Sequence, residues 1–179
     1  MKSISDADTW LVPPLAYLEG RPPEHDGERL ISQYVSVRDG TRLAVDVHLP
    51  GEAANGGPYP AIMVLTPYYR RFALREGARE GSDACPTVAF YRDMFVCRGY
   101  ALVAVDVRGS GASFGARDGF RSPAERLDHH DVADWVAKQP WCNGNIGATG
   151  ISYPGAASDF LASTNHPAVK AVAPLFAVW

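Results

Sequence analysis

Gly150-Ile151-Ser152-Tyr153-Pro154-Gly155 decides how this chain folds. These residues close a short apolar run, Asn145–Ile151, and open a stretch of helical character from Pro154 to Thr164. A serine between small residues at a strand-to-helix junction marks a turn so tight that bulky neighbours would clash. Such a turn lifts the serine hydroxyl to the edge of a parallel sheet, where it can act as a nucleophile. The usual pattern has glycine two positions after the serine. Here Pro154 stands there and Gly155 follows. Proline is tolerated because the first helical turn has no use for its missing N–H. Read alone, the six residues also fit an ordinary helix N-terminus.

Outward from this turn the chain alternates between strand and helix patterns. Residues 1–30, with Pro13-Pro14 and Pro22-Pro23, read as a loosely structured arm, and 31–179 as the N-terminal part of one domain. Ile31–Arg38 and Arg42–Leu49 alternate as strands, with Asp39-Gly40 as a hairpin turn between them. Ala61–Thr66 and Ala101–Val107 read as fully buried strands. Pro67 to Pro86 shows no periodicity. Thr87–Arg98 reads as a helix with Phe90, Met94 and Cys97 on its inner stripe and Gly99 as its stop. Ser122-Pro123-Ala124-Glu125 is a capping box opening a helix to about Lys138, with Val132, Trp135 and Val136 at core spacing. Val169–Leu175 reads as a last strand. The expected class is α/β: a mainly parallel sheet with helices on both faces and an N-terminal β-hairpin.

A hydrophobic fraction of 46% and a net charge of −3 describe an ordinary globular profile, without the basic excess of a nucleic-acid binder. No apolar run approaches about 20 residues, so no membrane span is expected. Residues 1–6 lack the apolar stretch of a signal peptide. Cys85, Cys97 and Cys142 lack metal-ligand spacing and read as buried free thiols in a reducing cytoplasm. No metal is implied. The apolar end Leu175-Phe176-Ala177-Val178-Trp179 stops without a polar exit, which is the mark of a fragment and of a surface prone to self-association.

Thr66-Pro67-Tyr68-Tyr69 closes a strand expected near that of the serine. A phenol there could donate to a developing oxyanion, with Tyr68 first and Tyr69 as fallback. Read alone, it is a buried aromatic. Gly109-x-Gly111-x-x-x-Gly115 resembles a dinucleotide loop, but no helix follows directly to hold a pyrophosphate. The histidines are His25, His48, His129, His130 and His166. In a Ser–acid–His order only His166 follows Ser152, and the intervening helix puts it about 20 Å away. Asp159 sits mid-helix and fails likewise. His129 and His130, in an earlier helix, read as core or solvated side chains. Asp131 shares a face with apolar residues and needs a partner. Arg108, at a neighbouring strand end, is the expected one.

Taken in order, five motifs resemble one family. They are Arg38-Asp39-Gly40-Thr41-Arg42-Leu43-Ala44-Val45-Asp46, Pro67-Tyr68, and Asp106-x-Arg108-Gly109-x-Gly111-x-Ser113. Trp135 with Gln139-Pro140-Trp141-Cys142-Asn143-Gly144-Asn145-Ile146-Gly147 follows, and then Gly150-x-Ser152-Tyr153-x-Gly155. The pattern resembles the cocaine-esterase-like (CocE/NonD) hydrolases, related to X-prolyl dipeptidyl-peptidases and α-amino-acid ester hydrolases. The resemblance covers about residues 30–175. It implies an α/β-hydrolase fold, here cut after the strand that follows the nucleophile helix. By it, Ser152 is the nucleophile, and the Tyr68 hydroxyl and the Tyr153 backbone N–H form the oxyanion hole. The family's cap, acid, histidine and C-terminal jelly roll would come later than this chain.

The expectation is therefore a cofactor-independent serine hydrolase acting on a small ester or short peptide through an acyl-enzyme. X-prolyl dipeptidyl-peptidase and α-amino-acid ester hydrolase or acyl transferase activities are alternatives within the class. Outside it stands an inactive fragment that works only with a complementing chain.

Overall fold

The computed structural model describes residues 14–51, 57–119 and 122–177. A short helix α1 (Pro14–Glu19) precedes the hairpin of β1 (Glu28–Ser36) and β2 (Arg42–Pro50). There follow β3 (Tyr59–Thr66), α2 (Ala89–Phe95) with a 3-10 turn (Val96–Arg98), and β4 (Ala101–Asp106). The chain continues through α3 (Pro123–Ala137), β5 (Cys142–Ile151), α4 (Tyr153–Ala162) and β6 (Val169–Leu175). The six strands form one sheet in the order β1-β2-β4-β3-β5-β6. Pairing is antiparallel through β1, β2 and β4 and parallel from β4 through β3 and β5 to β6. The expected hairpin thus forms one margin of a mainly parallel sheet.

Helices cover both faces, which is why every residue of β4 is buried. On one face Val45, Met63, Leu65, Val103 and Val105 meet Val132 and Val136 of α3 and Ala157 and Leu161 of α4. On the other, Val64, Leu102 and Ala104 meet Val88, Tyr91 and Val96 around α2. Alternate residues of a strand thus feed two separate cores.

The inner face of α2 differs from the expectation. Phe90 is 64% exposed, whereas Val88, Tyr91 and Val96 are buried. Both stripes of this helix are apolar, so periodicity alone could not choose between them. The closing 3-10 turn also rotates the last residues relative to an α-helical register.

The partner of Asp131 is a second correction. Arg38, at the hairpin end, binds it from Nε and Nη2 at 2.8 and 2.6 Å. Arg108 instead forks onto Asp128 at 2.8 and 2.6 Å and reaches Asp39 at 2.7 Å. Asp128 lies one turn nearer the start of α3, and that turn is the one facing the end of β4.

His129 is buried in the core, and burial pushes its imidazole down to about 3, a contact with the Ala157 backbone opposing. A base whose folded pKa is lowered stabilises the fold above its unfolded pKa, near 6.5, and loses that contribution as pH falls towards the folded value. Between neutral pH and pH 5 His129 should therefore cost about 2 kcal/mol of stability. Urea unfolding at pH 5.0 and 7.5 should show the loss, and His129→Gln should remove most of it. An unchanged pH dependence in the variant would refute the assignment.

Among the described residues no helix is long and apolar enough to cross a membrane. Cys85, Cys97 and Cys142 are unpaired. Cys97 is only half-buried, where all three were expected to be buried.

Candidate active site

Ser152 lies between the end of β5 and the start of α4, with φ 63° and ψ −117°. A left-handed backbone at a non-glycine residue is costly and persists only where its surroundings enforce it. The enforcement is visible. Ser152 N–H donates to the Leu175 carbonyl on β6 at 2.9 Å, and its own carbonyl accepts from Ala156 N–H at 3.0 Å. A Cβ on Gly150 would fall 2.2 Å from Pro154 Cβ, and one on Gly155 2.7 Å from the Gly150 and Leu175 carbonyl oxygens. Strand end, helix start and β6 therefore touch backbone to backbone, and Ser152 is left exposed.

Gly150→Ala drives its methyl into Pro154 and should cost about 3 kcal/mol, at the upper end for overpacking. For a chain of this size that is a fall of about 6–12 °C in thermal midpoint. A midpoint equal to wild type would mean that the turn relaxes without strain.

β3 and β5 are parallel neighbours, so their C-terminal ends open on the same edge. Tyr68, just past β3, is 48% exposed and sets its ring edge-on to that of Tyr153, 6.5 Å between centroids. Its N–H donates to Thr66 Oγ1 at 2.9 Å, which fixes the strand end. Tyr69 stacks on Phe72 at 5.6 Å, a different partner. Tyr68, Thr87, Phe90, Tyr91, Ile151 and Pro154 line one cavity of about 280 Å³ beside the turn. The exposed Phe90 thus belongs to this cavity's wall and not to the core.

Beneath the turn, the Tyr153 side chain is buried and its hydroxyl donates to Glu125. Arg117 Nη2 donates to the same hydroxyl at 2.7 Å, and the guanidinium lies 5.1 Å from the ring centroid. Glu125 therefore does more than take part in the helix cap, where its N–H donates to Ser122 Oγ at 3.2 Å. Its carboxylate anchors the residue after the serine. The sequence marks Glu125 only as a cap, and no local signal ties Arg117 to Tyr153.

The histidines are placed away from Ser152. His25 meets Tyr59, and His48 meets Glu28. His129 lies under α4, and His130 and His166 pack together at 4.8 Å beyond its far end. The glycines of the 109–115 loop also have a structural explanation. A Cβ on Gly111 would sit 2.2 Å from the Asp106 carboxylate, which accepts from Ala112 N–H at 3.0 Å. The loop thus wraps its own strand's aspartate, not a phosphate.

A family model for X-Pro dipeptidyl-peptidase (S15 family) matches residues 39–179. A Mycobacterium bovis protein whose name places it among serine esterases is 43% identical over 162 residues, covering 88% of this chain and 26% of that protein. The cocaine esterase of a Rhodococcus species is 34% identical over 154 residues, covering 85% of this chain and 24% of that enzyme. A CocE/NonD family hydrolase from Staphylococcus aureus superposes with a TM-score of 0.67 at 27% identity, covering 86% of this chain and 28% of that one. The chain thus spans about a quarter of the length of the curated relatives it matches. The matched segment carries the serine turn, the tyrosine beside it and the sheet that joins them. The chain therefore belongs to the X-Pro dipeptidyl-peptidase family S15 and has the α/β-hydrolase fold of the CocE/NonD hydrolases.

Proposed function

We propose that the protein is a serine hydrolase that cleaves small esters or short peptides through an acyl-enzyme on Ser152. The observation that carries this reading is the left-handed, exposed Ser152 on a turn closed by Gly150 and Gly155. In the reaction Ser152 Oγ attacks the carbonyl carbon and passes its proton to a general base. The tetrahedral oxyanion accepts hydrogen bonds from the Tyr68 hydroxyl and the Tyr153 backbone N–H. The leaving alcohol or amine takes up the proton. Water then cleaves the acyl-serine, releasing the acid and restoring the hydroxyl. No step needs a cofactor.

The base comes from outside this set of histidines, since all five have other partners or lie under or beyond α4. The names of the mycobacterial and Rhodococcus relatives favour ester substrates. The family's description favours release of X-prolyl dipeptides as the second reading. The largely apolar cavity beside Ser152 suits an acyl group of modest size. The unpaired thiols favour a reducing compartment such as the cytoplasm. Leu175 and Phe176, 42% and 85% exposed, favour self-association at that end. Val178 and Trp179, also part of the expected sticky surface, lie outside the described residues.

The test is residues 1–179 joined to the remaining portion of the M. bovis relative and treated with a fluorophosphonate probe. Peptide mass spectrometry should place the adduct on Ser152. An adduct on another residue alone would overturn the reading. Comparing a p-nitrophenyl ester with an X-prolyl p-nitroanilide separates esterase from dipeptidyl-peptidase activity.

A further inference from the structure

We infer that Asp46, His48 and Cys85 form a buried Zn(II) site on the α2 face of the sheet. Asp46 and His48 stand two apart on β2 and so share one face. Their register partners on β4 are Ala104 and Leu102, both members of the apolar layer under α2. Cys85, in the irregular segment between β3 and α2, belongs to that same layer. All three are at least 96% buried. One ligand atom from each lies within 4.8 Å of the others.

Buried polar groups need partners, and here the partners fall short. Arg70 forks onto Asp106, donating from its backbone N–H at 2.7 Å and from Nη1 at 2.8 Å. Its Nε is also 3.1 Å from Asp46 Oδ1, but out of line for a hydrogen bond. One guanidinium thus faces two buried carboxylates. His48 Nδ1 lies 3.3 Å from Glu28 Oε2, while its Nε2 is buried without a hydrogen-bond partner among the described residues. A carboxylate holding one imidazole nitrogen and leaving the other bare is the arrangement of a metal-bound histidine.

Carboxylate, imidazole and thiol are the donor set of Zn(II). Bonds of about 2.0–2.3 Å bring tetrahedral donors to about 3.5 Å from one another. Side-chain movements of about 1 Å would therefore close the site. Binding replaces the Cys85 thiol proton with the Zn–S bond and releases that proton to solvent; nothing is oxidised or reduced. A surface depression of about 530 Å³, lined by Glu28, Asp83, Arg92 and by Ala84, the residue before Cys85, offers an entry path. The ion would tie β2 to the segment that begins at Tyr68.

The test titrates the chelator-treated chain with Co(II) and then Zn(II). One equivalent of Co(II) should bind and give a thiolate-to-cobalt charge-transfer band in the near ultraviolet, which one equivalent of Zn(II) bleaches. Cys97→Ser and Cys142→Ser should keep the band; Cys85→Ser and His48→Gln should lose it. Glu28→Gln should weaken Zn(II) binding about 10–100-fold. A missing band in the wild-type chain, or one that survives in Cys85→Ser, overturns the site. Calorimetry of the wild-type chain in buffers of different ionisation enthalpy tests it even if the variants fail to fold. About one proton released per Zn(II) supports thiolate ligation, and no release overturns it.

Discussion

Ser152→Ala should lower kcat for an aryl ester by about 10⁶ in the chain completed with the remainder of its M. bovis relative, as loss of a nucleophilic serine does elsewhere. The methyl group has nothing to attack with, so no acyl-enzyme forms. What survives is the contribution of the oxyanion donors and of substrate binding, about 10³–10⁴ over water. The fold should not change, because Ser152 holds its turn through backbone groups that alanine also has. Thermal midpoints of the two proteins should agree to within the cost of an alanine at φ 63°. The isolated chain should behave differently. It should show no turnover above its own Ser152→Ala variant, because its histidines are engaged elsewhere and an unassisted serine is scarcely ionised near neutral pH. Robust turnover by the isolated chain that vanishes in the variant would reveal a base within these residues. Turnover surviving in the completed Ser152→Ala protein would remove Ser152 from the chemistry.

Tyr68→Phe should cost about 10²–10³ in kcat in the same completed protein, the usual loss for one oxyanion donor, equivalent to about 2.7–4 kcal/mol. KM should hardly move, since the hydroxyl acts on charge that develops after binding. The ring itself would stay against Tyr153, so the aromatic contact is preserved. Tyr69→Phe provides the control: its ring leans on Phe72, and turnover should be unchanged. An effect of equal size from both tyrosines, or none from Tyr68, would refute the assignment. A rise in KM alone would assign Tyr68 to the substrate pocket instead.

Arg117 and Glu125 act one layer below. They hold the Tyr153 ring, and hence the orientation of the backbone N–H proposed for the oxyanion. Neither meets the substrate in this arrangement, which makes them positioning residues.

Features that depend on neighbours along the chain were legible in the sequence. The turn at Ser152 needs small residues where the strand end and the helix start collide, and Gly150 and Gly155 satisfy that need locally. The hairpin at Asp39-Gly40, the buried β4 and the strand Val169–Leu175 likewise follow from turn chemistry and apolar runs. Periodicity states that an element has an apolar face, not what that face will meet. With two apolar stripes on α2, only the sheet could choose Tyr91 and turn Phe90 towards the cavity. The assignment of Arg38 to Asp131 and of Arg108 to Asp128 was decided by which helical turn faces which strand end. Tyr68 stands beside Ser152 because β3 and β5 are neighbours, a matter of strand order. Asp46, His48 and Cys85 show the limit most clearly. Cys85 stands far from Asp46 and His48 along the chain, and only the packing of an irregular segment over β2 brings its thiol to an aspartate and an imidazole. Sequence specifies contacts a few residues apart through local geometry. Contacts between distant residues exist only once burial of the apolar surface has fixed which elements lie together.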